Sequence, residues 1–234
     1  MKGFVESLTC RAQAGFVPVI PDFKMVSPGE GPLFLTRDAV DAAVKMERSG
    51  APAISVVTEG SQFGGSLELL SHMTHAVQIP VLRKDFIRSR ADVEETARRG
   101  AKAILLICAC MTEALLRELY QVSLDCGLET LVETHTKAEL QFAASLGARL
   151  VGINNRDILA LERDGGTVNT TAQLADGKPK DAFLISESGI LAPGDVRTAI
   201  SSGADAVLVG TAIWKAADPF RFYEELSQAK EGRL

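Results

Sequence analysis

Short runs of apolar, largely β-branched residues recur along the chain. They fall at 17–23 (VPVIPDF), 53–58 (AISVVT), 80–86 (PVLRKDF), 103–109 (AILLICA), 129–135 (ETLVETH), 150–155 (LVGINN), 183–188 (FLISES) and 206–212 (AVLVGTA). Each run is continuously apolar rather than alternating, as expected of strands covered on both faces in a parallel sheet. Apolar positions spaced by three and four predict helices over 38–50, 66–77, 89–99, 112–127, 137–146, 193–202 and 218–229. Ser66 and Thr112 stand where a helix start needs a side-chain acceptor. Gly50, Gly100 and Gly127 stand just past helix ends. The polar stretch 161–180 reads as a long loop with one short helix.

Eight strands alternating with helices predict a (β/α)8 TIM barrel. An open doubly wound sheet would alternate too, but with about five or six strands. With no linker or low-complexity stretch, residues 1–234 are expected to form one barrel domain, with 1–16 as a short N-terminal extension holding at most one helix.

The strand runs begin apolar and end polar. Their ends carry Asp22 and Lys24, Lys84, Glu133 and His135, Asn154 and Arg156, and Glu187 and Ser188. Strand side chains alternate in facing. Asp22 therefore shares a face with Lys24, Lys84 with Phe86, Glu133 with His135, and Asn154 with Arg156. Arg83 and Asp85 take the opposite face, toward the helices. In this fold the C-terminal strand ends form the active site, so five polar ends converge on one rim. Lysines and carboxylates held together there form a site that binds anions and moves protons. After strands seven and eight, SESGI and LVGTA place Ser188, Gly189, Gly210 and Thr211 where barrels of this type hold phosphate. Ser27, in the loop after Lys24, stands beside them. Phe63, in the flexible-looking loop EGSQFGGS (59–66), is either a ligand wall or a loop anchor, and His135 is either a rim residue or a structural one. Trp214, Phe220, Phe222 and Tyr223 are expected to pack the last helix on the barrel, and His72 and His75 to lie in solvent.

Composition narrows the partners. Hydrophobic residues make up 46% and charged residues 24%, and the net charge is -5. Such a balance gives no basic footprint for nucleic acid, so an anionic small molecule must be held by a local cluster. The apolar runs fall far short of the roughly 20 residues of a membrane span, and the N-terminus lacks a signal-peptide core. Of four cysteines, Cys108 and Cys110 lie two apart in a strand-like run and are expected to share a core-filling face; no zinc spacing occurs. A cytoplasmic location follows from that usage.

The segments DFKMVSPGEG, AISVVTEGSQFGGS, PVLRKDFI, AILLICACM, LVETH, VGINNRD, ISESGI and GADAVLVGTAIW, in this order, resemble the indole-3-glycerol phosphate synthase family. PVLRKDFI and GINNRD together are specific, whereas SESGI is shared with other phosphate-binding barrels. The resemblance implies ring closure of 1-(2-carboxyphenylamino)-1-deoxyribulose 5-phosphate with loss of carbon dioxide and water, in tryptophan biosynthesis, without metal or organic cofactor. It implies Lys84 as general acid, Glu133 as the carboxylate that stabilises a cation or takes a proton, and Lys24 as a binding lysine or second acid. Asp22, Asn154 and Glu187 complete the catalytic set. Arg156, Ser27, Phe63, Phe86, Leu105 and Leu208 bind substrate, and Ser188, Gly189, Gly210 and Thr211 cradle phosphate.

Two departures are visible. The family usually carries Glu where this chain has Asp22, a retreat of about 1 Å on a scale where misplacement costs about 10²-fold. Family members also carry a longer segment before strand one, with a helix that helps cover the substrate. A shortened cover predicts a weaker complex, or a partner that supplies it. A monomer and an association with other pathway enzymes are both compatible with the sequence. The residues alone also admit a paralogous sugar-phosphate isomerase or lyase, and a non-catalytic ligand-binding subunit.

Overall fold

A computed structural model describes residues 2–156 and 167–229. Asp157 of the GINNRD motif and residues 161–166 of the long polar loop lie outside them.

Eight parallel strands close on themselves. They are β1 (Val19–Phe23), β2 (Ile54–Val57), β3 (Val81–Lys84), β4 (Ala103–Ile107), β5 (Glu129–Thr134), β6 (Leu150–Asn154), β7 (Phe183–Glu187) and β8 (Ala206–Val209). β1 closes the ring, pairing Val19 with Val207 on one side and Asp22 with Ser55 on the other. The helices are α1 (Phe4–Gln13), α2 (Ala39–Arg48), α3 (Leu67–Ala76), α4 (Arg90–Arg98), α5 (Glu113–Asp125), α6 (Lys137–Ser145), α7 (Asn169–Leu174), α8 (Pro193–Ser201), α9 (Thr211–Lys215) and α10 (Pro219–Ser227). The expected strand and helix segments are all present. Ser66 and Thr112 cap α3 and α5, accepting from the N–H groups of Leu69 and Leu115. Gly50 ends α2 with φ +91°, a left-handed turn that costs glycine least.

The core has two layers. Ile20, Leu82, Leu105, Leu131, Leu150, Ile185 and Leu208 fill the barrel, while residues of opposite parity, such as Val19, Val81 and Val132, pack against the helices. Moving two residues along from the filling positions reaches Asp22, Lys84, Glu133 and Glu187. The same alternation that builds the core thus delivers the polar groups to the mouth.

Three expectations need correction. First, α1 is present but lies at the opposite end of the barrel from the mouth. Phe4 and Leu8 are fully buried among the barrel-filling residues. The N–H groups of Phe4 and Val5 donate to Glu129 at the start of β5, and Ser7 Oγ donates to the Pro52 carbonyl before β2. The helix is a floor plug rather than a cover, because its apolar face fits the open lower end of the ring. Second, Cys108 and Cys110 do not share a strand face. β4 stops at Ile107, and Cys108–Cys110 forms a 3₁₀ turn, so Cys108 packs toward the helices and Cys110 toward the barrel interior. Burial and the charges of Glu139 and Glu133 push the Cys108 thiol up to about 12, so it stays protonated. Third, Trp214 belongs to α9, not the last helix. Its ring lies 4.5 Å from that of Phe23 and 4.7 Å from that of Phe34, and its Nε1–H donates to the Asp22 carbonyl. Tyr223 is fully buried and Phe220 and Phe222 half-buried on the outer layer, as expected.

Candidate active site

Two adjoining hollows open at the C-terminal ends of the strands, with Asp22 and Lys24 on the walls of both. The first, about 330 Å³, is lined by Phe63, Phe86 and Leu105 together with Lys84. The second, about 390 Å³, is lined by Arg156, Ser188, Gly189, Leu208, Gly210 and Thr211. The first suits a flat apolar ring beside cations, and the second suits an anion.

Lys24 and Asp22 form the waist. Lys24 Nζ stands 5.9 Å from the centre of the Phe63 ring, and Phe63 lines the first hollow. The Phe63 carbonyl accepts from Val26 N–H, tying the second loop to the first. The stretch 59–66 is a hydrogen-bonded turn rather than a slack loop. The Glu59 carboxylate accepts from the N–H groups of Ser61, Gln62 and Phe63. Burial pushes the Glu59 carboxyl up, but the Ser61 hydroxyl and these N–H groups outweigh it and hold the group below its usual range. Asp22 Oδ1 accepts from Ser55 Oγ at 2.7 Å, which fixes the shorter carboxylate on the β2 side.

Lys84 closes β3, 7% exposed, beside Phe86. Of its neighbours of opposite parity, Arg83 is satisfied in the helical layer, as expected, whereas Asp85 pairs with Arg83 and also lines the first hollow. Arg83 donates to Thr58 Oγ1, to Thr96 Oγ1 and the Asp92 carbonyl on α4, and to Asp85 at 2.8 Å. A buried guanidinium without these partners would be strongly destabilising.

Glu133, Asn154 and Glu187 are buried at the same strand ends, at 0%, 1% and 0% exposure. Register places Glu133 level with Gly152, and Asn154 level with Glu187. Asn154 Oδ1 accepts the Arg156 N–H, turning the chain so that Arg156 reaches the second hollow. His135 lies beyond β5, its Nε2 3.5 Å from Glu133 Oε1.

The anion hollow is built by backbone geometry. Ser188 has φ +63°, the one positive value among the described non-glycine residues, and Gly189 follows at +71°. Such a conformation costs a non-glycine residue about 1–2 kcal/mol. Asn155 holds it in place, donating from Nδ2 to the carbonyls of Glu187 and Ser188 and to Ser186 Oγ, while Thr171 on α7 donates back to Asn155 Oδ1. On the other side Gly210 precedes α9, and Thr211 Oγ1 lies 3.1 Å from Ser27 Oγ, so the expected Ser27 neighbour is in place.

Sequence reading missed four supporting residues. Ser55 and Asn155 act through contacts between segments far apart in the chain, and Glu59 through a tight local turn. Gly152 is the fourth: a methyl group there would lie 2.0 Å from Glu187 Oε1. The only signal was a glycine inside an otherwise branched strand, the mark of close approach by another group.

Comparison with known proteins identifies the family. The family model described as indole-3-glycerol phosphate synthase matches residues 1–226. The indole-3-glycerol phosphate synthase of Thermococcus kodakarensis is 41% identical over 212 residues, covering 91% of this chain and 92% of its own. That of Geobacillus thermodenitrificans is 42% identical over 215 residues, covering 92% and 82%. Among solved structures, thiamine phosphate pyrophosphorylase from Pyrococcus furiosus superposes with a TM-score of 0.63 at 15% identity, covering 89% of this chain and 92% of that one, a likeness of fold alone. With matched motifs, matched length and a two-part hollow at the strand ends, this chain belongs to the indole-3-glycerol phosphate synthase family.

Proposed function

We propose that this chain closes the indole ring of 1-(2-carboxyphenylamino)-1-deoxyribulose 5-phosphate, releasing carbon dioxide and water, in tryptophan biosynthesis. The carrying observation is the two-part hollow: an aromatic-walled half with Lys84 and an anion-shaped half with Ser188 and Gly210, joined at Lys24. A substrate with a carboxyphenyl ring at one end and a phosphate at the other matches that division.

In this reading Ser188, Gly189, Gly210 and Thr211 hold the phosphate, with Ser27 against Thr211. Phe63, Phe86, Leu105 and Leu208 wall the organic part, and Arg156 pairs with an anionic or hydroxyl oxygen of the substrate. Lys84 protonates the ketone oxygen as the ring carbon attacks the ketone carbon. Loss of carbon dioxide restores the aromatic ring, and Lys24 at the waist neutralises the carboxylate before it leaves. In the dehydration a lysine gives a proton to the departing hydroxyl while Glu133 takes one from the substrate. Asp22, Glu187 and Asn154 set the field around the two lysines. Fixed charges in a water-poor site supply such catalysis without a cofactor. The reading includes one domain spanning residues 1–234, a cytoplasmic setting, and a monomer or a loose association with other enzymes of the pathway.

Indole fluorescence tests it. Purified protein mixed with the substrate should develop the emission of the indole product with multiple turnovers. No emission at enzyme concentrations comparable to substrate would overturn the reading.

A further inference from the structure

His135 stands between two carboxylates of different exposure. Its Nε2 lies 3.5 Å from Glu133 Oε1 on β5, and its Nδ1 lies 3.7 Å from Glu139 Oε2 on α6. The side chains of the three residues are 0%, 16% and 22% exposed, in the order Glu133, His135, Glu139. They form a row from the buried end of β5 toward solvent. Each ring nitrogen faces a different carboxylate, so the imidazole spans them rather than anchoring to one.

Glu139 is held as an anion. Its carboxylate accepts the N–H groups of His135 and Thr136, which closes the capping box of α6. Burial raises its pKa, but the His135 ring and these N–H groups outweigh that and hold the carboxyl below its usual range. A carboxyl of that kind stays ionised and steadies a positive charge on the ring beside it.

The surroundings carry few competing charges. From the β4 side Cys108, Cys110 and Glu113 approach, and both thiols are pushed up, by burial first. Arg88, on the loop after β3, adds a more distant cation. On the β6 side the strand ends in Asn154 and Arg156. On α6 itself Lys137 precedes Glu139.

We propose that His135 and Glu139 are the proton exit of the site. The inference rests on the reading of Glu133 as the base. A proton taken from the substrate by Glu133 moves to His135 Nε2, regenerating the carboxylate. The resulting imidazolium, steadied by the Glu139 carboxylate, gives its Nδ1 proton to water. The neutral ring regains its starting tautomer by exchange with water after the product leaves. One proton enters and one leaves per cycle. The present separations are somewhat longer than hydrogen bonds, and such contacts tighten when substrate binds. His135 is a positioning and relay residue, acting through Glu133.

Steady-state turnover of the carboxyphenylamino substrate by wild type, H135N, H135A and E139Q decides the matter. The H135N variant keeps the polar shape but not the ring, and its kcat should fall about tenfold or more with KM nearly unchanged. The H135A variant should fall similarly and regain activity as imidazole is added, with the rescue following the basicity of methylated imidazoles. E139Q should lose a smaller part of kcat, and an unchanged E139Q overturns the part assigned to Glu139. Full kcat in H135N, or a loss that imidazole does not restore, overturns the relay while an active wild type leaves the functional reading intact. A silent wild type overturns both.

Discussion

Glu187 reaches its place because β6 carries no side chain at Gly152. The built Cβ at that position falls 2.0 Å from the Glu187 carboxylate. Gly152→Ala should therefore push Glu187 aside or strain the barrel. Overpacking of this kind costs about 1–3 kcal/mol, and the loss of a placed charge should lower turnover as well. Urea unfolding and the fluorescence assay on the same preparation measure both effects. The polar groups at the strand ends were legible in the sequence. Lys84, Glu133, Arg156 and Ser188 stand out as polar groups ending apolar runs, and strand parity assigned Arg83 correctly to the helical layer, while its partner Asp85 lines the first hollow instead. The residues that hold them by contact were not. Ser55 is 33 positions from the Asp22 it holds, and Asn155 is 33 positions from Ser188. Composition and spacing carry no record of such pairs. The Asp22 departure reads differently once Ser55 is seen: the short carboxylate has a partner on the neighbouring strand that fixes its position.

Secondary elements follow local chemistry closely. The α4 start illustrates it: Ser89 Oγ accepts from Asp92 N–H, and the Asp92 carboxylate accepts from Ser89 and Arg88 N–H groups. Burial pushes the Asp92 carboxyl up, but the Ser89 hydroxyl and these N–H groups outweigh it and lower its pKa, with Arg83 nearby assisting. A carboxyl lowered in the folded state stabilises the fold above its unfolded pKa, and that contribution is lost as pH falls through the folded value. Asp92→Asn should cost about 1 kcal/mol at pH 7. The deficit should shrink below about pH 4 and vanish once the wild-type carboxyl is protonated. Urea titrations at neutral and acid pH check this. Elements shorter than a helical turn or two escape such reading. The 3₁₀ turn at Cys108–Cys110 and the five-residue α9 leave no periodic trace, so apolar runs were extended through both.

The whole molecule divides its ends. The mouth gathers charge, while the floor is sealed by Phe4 and Leu8 of α1. Eight-fold alternation made the barrel legible, but nothing in the pattern says which end an N-terminal helix covers, because its apolar stripe fits either opening. Phe4→Ala removes a fully buried ring and should cost about 3–5 kcal/mol of stability. At a temperature where the variant stays folded, turnover should be retained, since the change lies at the far end from Lys84. A combined unfolding and activity measurement separates these effects. The central claim is that Lys84 supplies the proton for ring closure in the two-part hollow. Its most direct test is Lys84→Met, assayed by indole fluorescence for turnover and by titration for substrate binding. The account predicts that the variant folds and binds the substrate through the phosphate cradle, yet turns over at least about 10²-fold more slowly than wild type. Turnover near the wild-type rate without Lys84 would contradict it.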